Sequence, residues 1–200
     1  MQEDFRSLFD RARAGDAAAR GQLFERHLSG LRAYVRLKSG RLVRARESCS
    51  DLVQSVCREA LADLSRVECD DEQAFRRWLY RVGLHKILRR VDHHTAQKRD
   101  AAREVASAEP DEGPGDAAVL GAYATFCTPS RAAAAREEVE RVERAFDRLP
   151  AEYREIILQA RLEDRPHGEI AAELGNSVVA VRKLLSRARA RLALLLDAEA

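Results

Sequence analysis

The sequence is poor in the residues that build disulfide scaffolds, metal sites and membrane spans. Four cysteines occur in 200 residues, and none forms a C-x-x-C pair or stands at zinc-ligand spacing from a histidine. We therefore predict no metal site and reduced, partly buried thiols at Cys49, Cys57, Cys69 and Cys127. No apolar run approaches the roughly 18–20 residues of a membrane span, and the charged N-terminus lacks a signal-peptide core. We expect a cytoplasmic protein without membrane insertion.

The motifs of the common enzyme classes are also missing. The chain contains no G-x-x-x-x-G-K-[ST], G-x-S-x-G or H-E-x-x-H motif and no paired-carboxylate signature. These absences predict a protein that is not an enzyme and that carries no cofactor. The formal net charge is only +2, so any contact with nucleic acid must come from a local concentration of basic residues.

The composition predicts helices in two separate groups. Alanine, arginine, leucine and glutamate dominate, which favours an all-α fold. Three of the five prolines fall between Glu104 and Ser130, with three glycines and five acidic residues but no lysine or arginine. This composition is typical of a flexible linker. We predict two small helical domains, residues 1–103 and 131–200, joined by an acidic linker at 104–130.

The C-terminal part of the chain predicts a helix-turn-helix. Pro150 suits the start of a helix, Arg165–Pro166 ends it, and Gly175 ends a second, short helix. Asn176 or Ser177 then caps a third helix. Its predicted buried stripe consists of Val178, Val181, Leu184, Leu185, Ala188, Leu192, Leu195 and Leu196. Two short helices around a glycine-containing turn are typical of DNA-binding proteins.

The third of these helices is strongly basic. It has five arginines and lysines between Arg182 and Arg191 and no acidic residue there. The side chains near its start, which we expect to face bases, are Ser177, Val178, Ala180 and Lys183. The side chains that we expect to contact phosphates are Arg182, Arg187 and Arg189. The alternative is a surface helix of a small bundle, with solvated arginines.

The N-terminal half predicts a second helical bundle. Helices are expected at residues 2–14 and from residue 17, followed by a basic loop from Lys38 to Arg46. His27 falls on an apolar face, which favours a core histidine over a ligand. In the next helix the predicted inward side chains are Leu52, Val53, Val56, Cys57, Ala60, Leu61 and Leu64. Asp51, Gln54 and Arg58 share the outer face of that helix.

Residues 75–99 predict another basic helix, after a polar loop at 65–72. Phe75, Trp78, Leu79 and Val82 have core spacing. Asp92 is the only acidic residue between Arg76 and Arg99, and Tyr80 lies among the basic residues. Such a helix fits a phosphate backbone, and its aromatic groups can stack on unpaired bases. A solvated helix is the alternative.

Three runs of residues resemble one known family. They are Asp51-Leu52-Val53-Gln54, then Phe75-x-x-Trp78-Leu79-x-x-Val82, and finally the unit from Leu149-Pro150 through Glu169-Ile170-Ala171 to Leu185-Ser186-Arg187-Ala188-Arg189. They are similar to regions 2.2, 2.3–2.4 and 4 of bacterial sigma-70 factors, in particular the small extracytoplasmic-function (ECF) group. The resemblance implies a protein that binds core RNA polymerase, directs it to promoters and helps to open the DNA.

The resemblance also implies roles for particular residues. The resemblance assigns docking on the clamp helices of the largest polymerase subunit to Asp51, Leu52, Val53, Gln54 and Arg58. Reading of the minus-10 promoter element falls to Arg77, Trp78, Tyr80, Arg81, His85, Lys86, Arg89 and Arg90. Many ECF members have Asn and Asp where this chain has His85 and Arg89, which implies an altered promoter preference. The helix-turn-helix would read the minus-35 element and touch the polymerase flap. Anti-sigma proteins commonly hold members of this family.

Two functions of other classes compete with this interpretation. A stand-alone helix-turn-helix regulator would bind duplex DNA without polymerase, usually at palindromic half-sites. It leaves the basic helix at 75–99 unexplained. A helical adaptor protein that does not bind DNA would show little salt dependence of any nucleic-acid binding.

Overall fold

The computed structural model describes residues 4–98 and 133–198. The chain divides into two compact units, Met1–His93 and His94–Ala200, here called the N-terminal and C-terminal units. Every regular element in the two described ranges is helical, which confirms the predicted all-α fold. The predicted linker at 104–130 and Cys127 lie outside the described residues.

The N-terminal unit contains four α-helices among its described residues, and the last of them continues past His93. They are α1 (Phe5–Arg13), α2 (Ala17–Arg44), α3 (Cys49–Asp63), which runs on into a 3₁₀ turn (Leu64–Arg66), and α4 (Glu72–Lys98). Gly15 separates α1 from α2 with a φ of 103°, a value that glycine adopts without steric cost. The Asp16 carboxylate accepts hydrogen bonds from the backbone N–H groups of Ala18 and Ala19 at 2.9 and 3.1 Å, and so caps α2.

The core of this unit is an aromatic cluster around Phe75 of α4. The Phe75 ring is fully buried. Its centroid lies 5.1–6.1 Å from the centroids of five rings on three helices, namely Phe5, Phe9, Phe24, His27 and Trp78. Aromatic pairs at these separations contribute about 0.5–1.5 kcal/mol each beyond the burial of their surface. The cluster therefore fastens the start of α4 to α1 and α2.

The predicted loop from Lys38 to Arg46 is wrong. Helix α2 continues to Arg44 across a break at Gly40, where the backbone takes φ 63° and ψ 176°. Leu37 and Val43, on either side of the break, are buried. Burial of these apolar side chains keeps the part of α2 after Gly40 helical despite its basic sequence. The positive φ of Gly40 lets the helix change direction at this point.

Several side chains predicted to lie inside are more exposed than expected. Leu61 is 36% exposed, and Trp78 and Val82 are only half-buried. In contrast, Leu52, Val53, Val56, Ala60 and Leu64 are buried as predicted. Periodicity identifies the inward side of a helix, but it does not say which edge of that side a neighbouring helix covers.

The C-terminal unit contains a helix-turn-helix with the predicted boundaries. Its described elements are α5 (Ala133–Asp147), α6 (Ala151–Ile157), a π-helical turn (Leu158–Leu162), α7 (His167–Glu173) and α8 (Val178–Asp197). Gly175 ends α7 in the left-handed region with a φ of 62°. Ser177 caps α8, since its Oγ accepts a hydrogen bond from the Ala180 N–H at 3.1 Å. The π-helical turn between α6 and α7 was not predicted.

Helix α8 forms the centre of this unit. It packs against α5, α6 and α7. Its buried side chains are Val181, Leu184, Leu185, Ala188, Leu192, Leu195 and Leu196. The predicted stripe is therefore confirmed except at Val178, which is 37% exposed. The stripe fixes the rotation of α8, so the opposite face is presented to solvent.

His27 is the buried histidine that the apolar pattern of α2 predicts. Its side chain is 7% exposed and packs on Phe75. Burial, with smaller contributions from Arg76 and Arg26, lowers the pKa of His27 from 6.5 to about 4. The ring is therefore neutral at pH 7, and its 3.4 Å approach to the Glu72 carboxylate is not an ion pair at that pH.

We expect His27 to make the N-terminal unit sensitive to acid. Between pH 6.5 and 4 the unfolded state binds a proton that the folded state does not, so stability falls as the pH falls through this window. The loss between pH 7 and pH 5 amounts to about 2 kcal/mol. Urea unfolding followed by the fluorescence of Trp78, the single tryptophan, measures it.

Two variants isolate the contribution of His27. His27→Phe removes the titrating group and should lose about 2 kcal/mol less stability than the natural protein over the same pH change. His85→Gln, which removes an exposed histidine, should retain the full loss. An equal pH dependence in the natural protein and His27→Phe would contradict this account.

Candidate nucleic-acid and polymerase interfaces

The exposed face of α8 is basic. Arg182, Lys183 and Arg187 are exposed, whereas Arg189 is half-buried. Ser177 is exposed and Ala180 is half-buried at the start of the helix. The structure thus presents three cations on the side opposite the buried stripe, near the end of the helix that a helix-turn-helix directs at DNA.

Two exposed residues on this face were not among the predicted DNA-contacting residues. Val179 is 60% exposed, and Ser186 is also exposed. At 3.6 residues per turn Val179, Lys183 and Ser186 lie on one side of α8, half a turn from Val181. Val178 instead borders the buried stripe. With Val181 and Leu185 buried against α6 and α7, the helical periodicity places Val179 farther from the buried side of α8 than Val178. This periodicity could have identified Val179 as the exposed valine from the sequence.

A second basic face lies on α4. Trp78, Arg81, His85 and Arg89 follow i, i+3, i+7 and i+11 spacing, which places them along one side of the helix. Arg81, His85 and Arg89 are exposed there. Trp78 is half-buried, with its ring against Phe75 at 5.5 Å. Of the other predicted DNA-contacting residues, Arg77, Lys86 and Arg90 are half-buried.

Tyr80 is a correction to the predicted minus-10 surface. It is only 3% exposed, and its ring stacks on that of Tyr34 with centroids 4.6 Å apart and an interplanar angle of 5°. A Cβ placed on Gly30 would come within 2.5 Å of the Tyr80 hydroxyl, so α2 approaches the ring closely at this point. Tyr80 is therefore a packing residue and is not available to stack on a base.

Acidic side chains hold three of the cations on or beside this face. Glu59 of α3 lies 2.9 Å from Lys86 Nζ and 3.6 Å from Arg89 Nη1. The hydrogen bond from Lys86, opposed by partial burial and aided by the nearby charges, lowers the pKa of Glu59. Glu47 lies 3.3 Å from Arg90 Nε. Arg89 keeps most of its side chain in solvent, while Lys86 is drawn toward α3.

A cleft of about 540 Å³ lies between α2 and α3. Its apolar lining includes Phe24, Leu28 and Leu61. Gln54 and Arg58, which also line it, are exposed, as is Asp51 one turn earlier on α3. Because Leu61 lines this open cleft, it is more exposed than its spacing on α3 suggests.

Leu52 and Val53 are corrections to the predicted polymerase-docking set. Each is only 2% exposed. Leu52 packs inside the N-terminal unit, and Val53 lines the cleft with little of its surface in solvent, so both mainly position α3. Asp51, Gln54 and Arg58 are the members of this set whose side chains reach solvent.

The described residues contain no group of three or more His, Cys, Asp or Glu side chains that could hold a metal ion. Cys49, Cys57 and Cys69 are free thiols. Burial raises the pKa of both Cys57 and Cys69, which disfavours the reactive thiolate. Across residues 4–98 and 133–198, no helix is both long and apolar enough to span a membrane.

The sequence matches two family descriptions. "Sigma-70 region 2" matches residues 23–97, which include α3 and nearly all of α4. "Sigma-70, region 4" matches residues 139–192, which include the helix-turn-helix. Together these ranges cover more than half of the chain and contain all three candidate surfaces.

Characterised relatives match over almost the whole chain. RNA polymerase sigma factor NccH of Alcaligenes xylosoxydans xylosoxydans is 32% identical, covering 96% of this chain and 94% of the relative. RNA polymerase sigma factor CnrH of Cupriavidus metallidurans is 31% identical, covering 97% and 95%. ECF RNA polymerase sigma factor SigD of Mycobacterium tuberculosis is 30% identical, covering 90% and 77%.

Solved structures give the same result. CnrH in complex with the cytosolic domain of CnrY has a TM-score of 0.57 and 29% identity, with 98% of both chains covered. RpoE of Bartonella quintana in complex with the anti-sigma factor NepR is 20% identical, with a TM-score of 0.55 over 88% of this chain and 96% of that one, and supports the fold alone. The chain thus belongs to the sigma-70 family of RNA polymerase sigma factors, in its extracytoplasmic-function group.

Proposed function

We propose that the two units of this sigma factor divide its function between them. A sigma factor directs RNA polymerase to promoters; here the N-terminal unit would bind the polymerase through α3 and read the minus-10 element through α4. The C-terminal unit would read the minus-35 element through α8. The observation that carries this division is a basic, exposed helix face on each unit, backed in each case by a buried apolar stripe.

The proposed domains extend the two units to residues 1–103 and 131–200, with the linker at 104–130. The minus-10 surface comprises Arg77, Trp78, Arg81, His85, Lys86, Arg89 and Arg90. The proposed minus-35 surface comprises Ser177, Val178, Ala180, Arg182, Lys183, Arg187 and Arg189. We add Val179 and Ser186 to it, because both are exposed on the same side of α8. Contact with phosphates would supply most of the affinity, and the side chains at the start of α8 would select the sequence.

Promoter opening on this account requires no chemistry from the sigma factor. Trp78 is the aromatic side chain on the basic face of α4 that reaches solvent, and it is suited to stack on an unpaired base. A protein that binds single-stranded DNA more tightly than duplex DNA shifts the equilibrium towards the melted state. The polymerase supplies catalysis, so the protein is not an enzyme and works in the cytoplasm with the polymerase.

Polymerase binding is proposed for the rim of the α2–α3 cleft. Asp51, Gln54 and Arg58 offer two charges and an amide beside an apolar lining, a combination common at protein interfaces. An anti-sigma protein is the further partner that we propose. The related CnrH was solved with the cytosolic domain of CnrY, and occupation of the same cleft by such a protein would exclude the polymerase.

Removal of the rim side chains tests the docking surface. We expect Asp51→Ala with Gln54→Ala to weaken binding to core RNA polymerase by about tenfold to thirtyfold, since two polar contacts at about 1 kcal/mol each are lost. Fluorescence anisotropy of the labelled full chain, titrated with core enzyme, measures the affinity. Asp63→Ala, at the far end of α3, removes an exposed acid outside the rim and serves as the control.

Unchanged affinity of the Asp51 and Gln54 variant would contradict the docking assignment. The comparison is valid because both residues are exposed and neither lies in the core. Asp51 lies in the first turn of α3 and Asp63 is its last residue, so the helix dipole predicts a small loss of stability for the first variant and a small gain for Asp63→Ala. Urea unfolding followed through Trp78 fluorescence should show that both variants are folded in the absence of urea.

Glu59 offers a test of the minus-10 surface. Glu59→Gln frees Lys86 and Arg89, so binding of the polymerase–sigma complex to single-stranded minus-10 DNA should depend more steeply on salt. Each new phosphate contact steepens the slope of log K against log salt by about 0.7 for single strands. Asp63→Asn removes one negative charge elsewhere on α3 and measures the effect of net charge alone. Equal slopes for the two variants would contradict the proposed role of Lys86 and Arg89.

A further inference from the structure

An exposed branched apolar side chain lies within the basic face of α8. Val179 is more exposed than either Val178 or Leu174, the other large apolar residues that are exposed beside the turn of the helix-turn-helix. It precedes Arg182, Lys183 and Ser186 by three, four and seven residues, so all four lie on one side of the helix. The three later residues are exposed as well.

The position of Val179 is fixed by two independent features. The buried side chains Val181, Leu184 and Leu185 set the rotation of α8 and leave Val179 on the opposite side. The hydrogen bond from the Ala180 N–H to Ser177 Oγ holds the first turn in helical geometry. Val179 is therefore a fixed part of the surface on which Arg182 would contact phosphates and Lys183 would face base edges.

The side chains on this surface favour one kind of contact with DNA. Arg182 attracts the phosphates of the DNA backbone. The Val179 side chain has no hydrogen-bonding group, so it cannot recognise a donor or an acceptor on a base edge. The apolar group that base edges present in the major groove is the C5-methyl of thymine. We propose that Val179 reads a thymine methyl group in the minus-35 element and selects thymine over cytosine at that position. This inference rests on the proposed function of α8.

Replacement of thymine by deoxyuridine removes this methyl group and leaves every hydrogen-bonding group in place. The test uses the full chain assembled with core RNA polymerase, on a promoter selected by transcription, with each minus-35 thymine replaced in turn. At one position we expect the natural protein to lose about fourfold in affinity, the change that corresponds to burial of one methyl group. Val179→Ala should bind the thymine promoter more weakly and should show no further loss with deoxyuridine at that position.

The control is Leu174→Ala, which shortens an exposed apolar side chain at the end of α7, outside the proposed minus-35 surface. It should retain the fourfold difference between thymine and deoxyuridine. The same difference in Val179→Ala as in the natural protein would overturn the proposal, as would the absence of any sensitive thymine. Complete absence of promoter-directed binding by the natural protein would instead overturn the proposed function of α8, and this inference with it.

Discussion

The packing of Phe75 determines where the basic face of α4 points. This ring contacts aromatic side chains of α1 and α2 as well as Trp78 on its own helix. With Phe75 and Leu79 buried, Arg81, His85 and Arg89 have to lie outside. Loss of the Phe75 ring would therefore disturb both the core and the proposed minus-10 surface, since a buried phenylalanine truncated to alanine costs about 3–5 kcal/mol.

The same arrangement recurs in the C-terminal unit with aliphatic side chains. Leu184, Leu185 and Ala188 are buried, and Arg182, Lys183 and Arg187 occupy the opposite side. A low net charge is consistent with DNA binding in such a chain because the cations are concentrated on two faces. On α4 the Glu59 carboxylate offsets part of the positive charge of Lys86 and Arg89. On the proposed function, this would limit attraction to DNA of arbitrary sequence.

Local signals predicted the helices well, and tertiary contacts decided the rest. Pro150, Gly175 and Ser177 act within one helix turn, so the helix-turn-helix boundaries followed from the sequence. The burial of Tyr80 depends on Tyr34, far away in the chain, and no local pattern reports that stacking. Helical periodicity placed Leu52 and Val53 inside and Gln54 outside, whereas the family resemblance assigned docking to the whole Asp51–Gln54 run regardless of burial. The same periodicity, counted from the buried Val181, would have separated Val179 from Val178.

On the proposed function, both basic faces act together on one promoter when the chain is bound to RNA polymerase. Run-off transcription with the purified protein, core RNA polymerase and a library of genomic promoters tests it most directly. The account predicts specific start sites that occur only when the protein is added, preceded by shared sequence elements near minus-10 and minus-35. Binding to core enzyme followed by starts that share a minus-10 element but no minus-35 element would contradict the role given to α8. Absence of both core binding and specific starts would contradict the account as a whole.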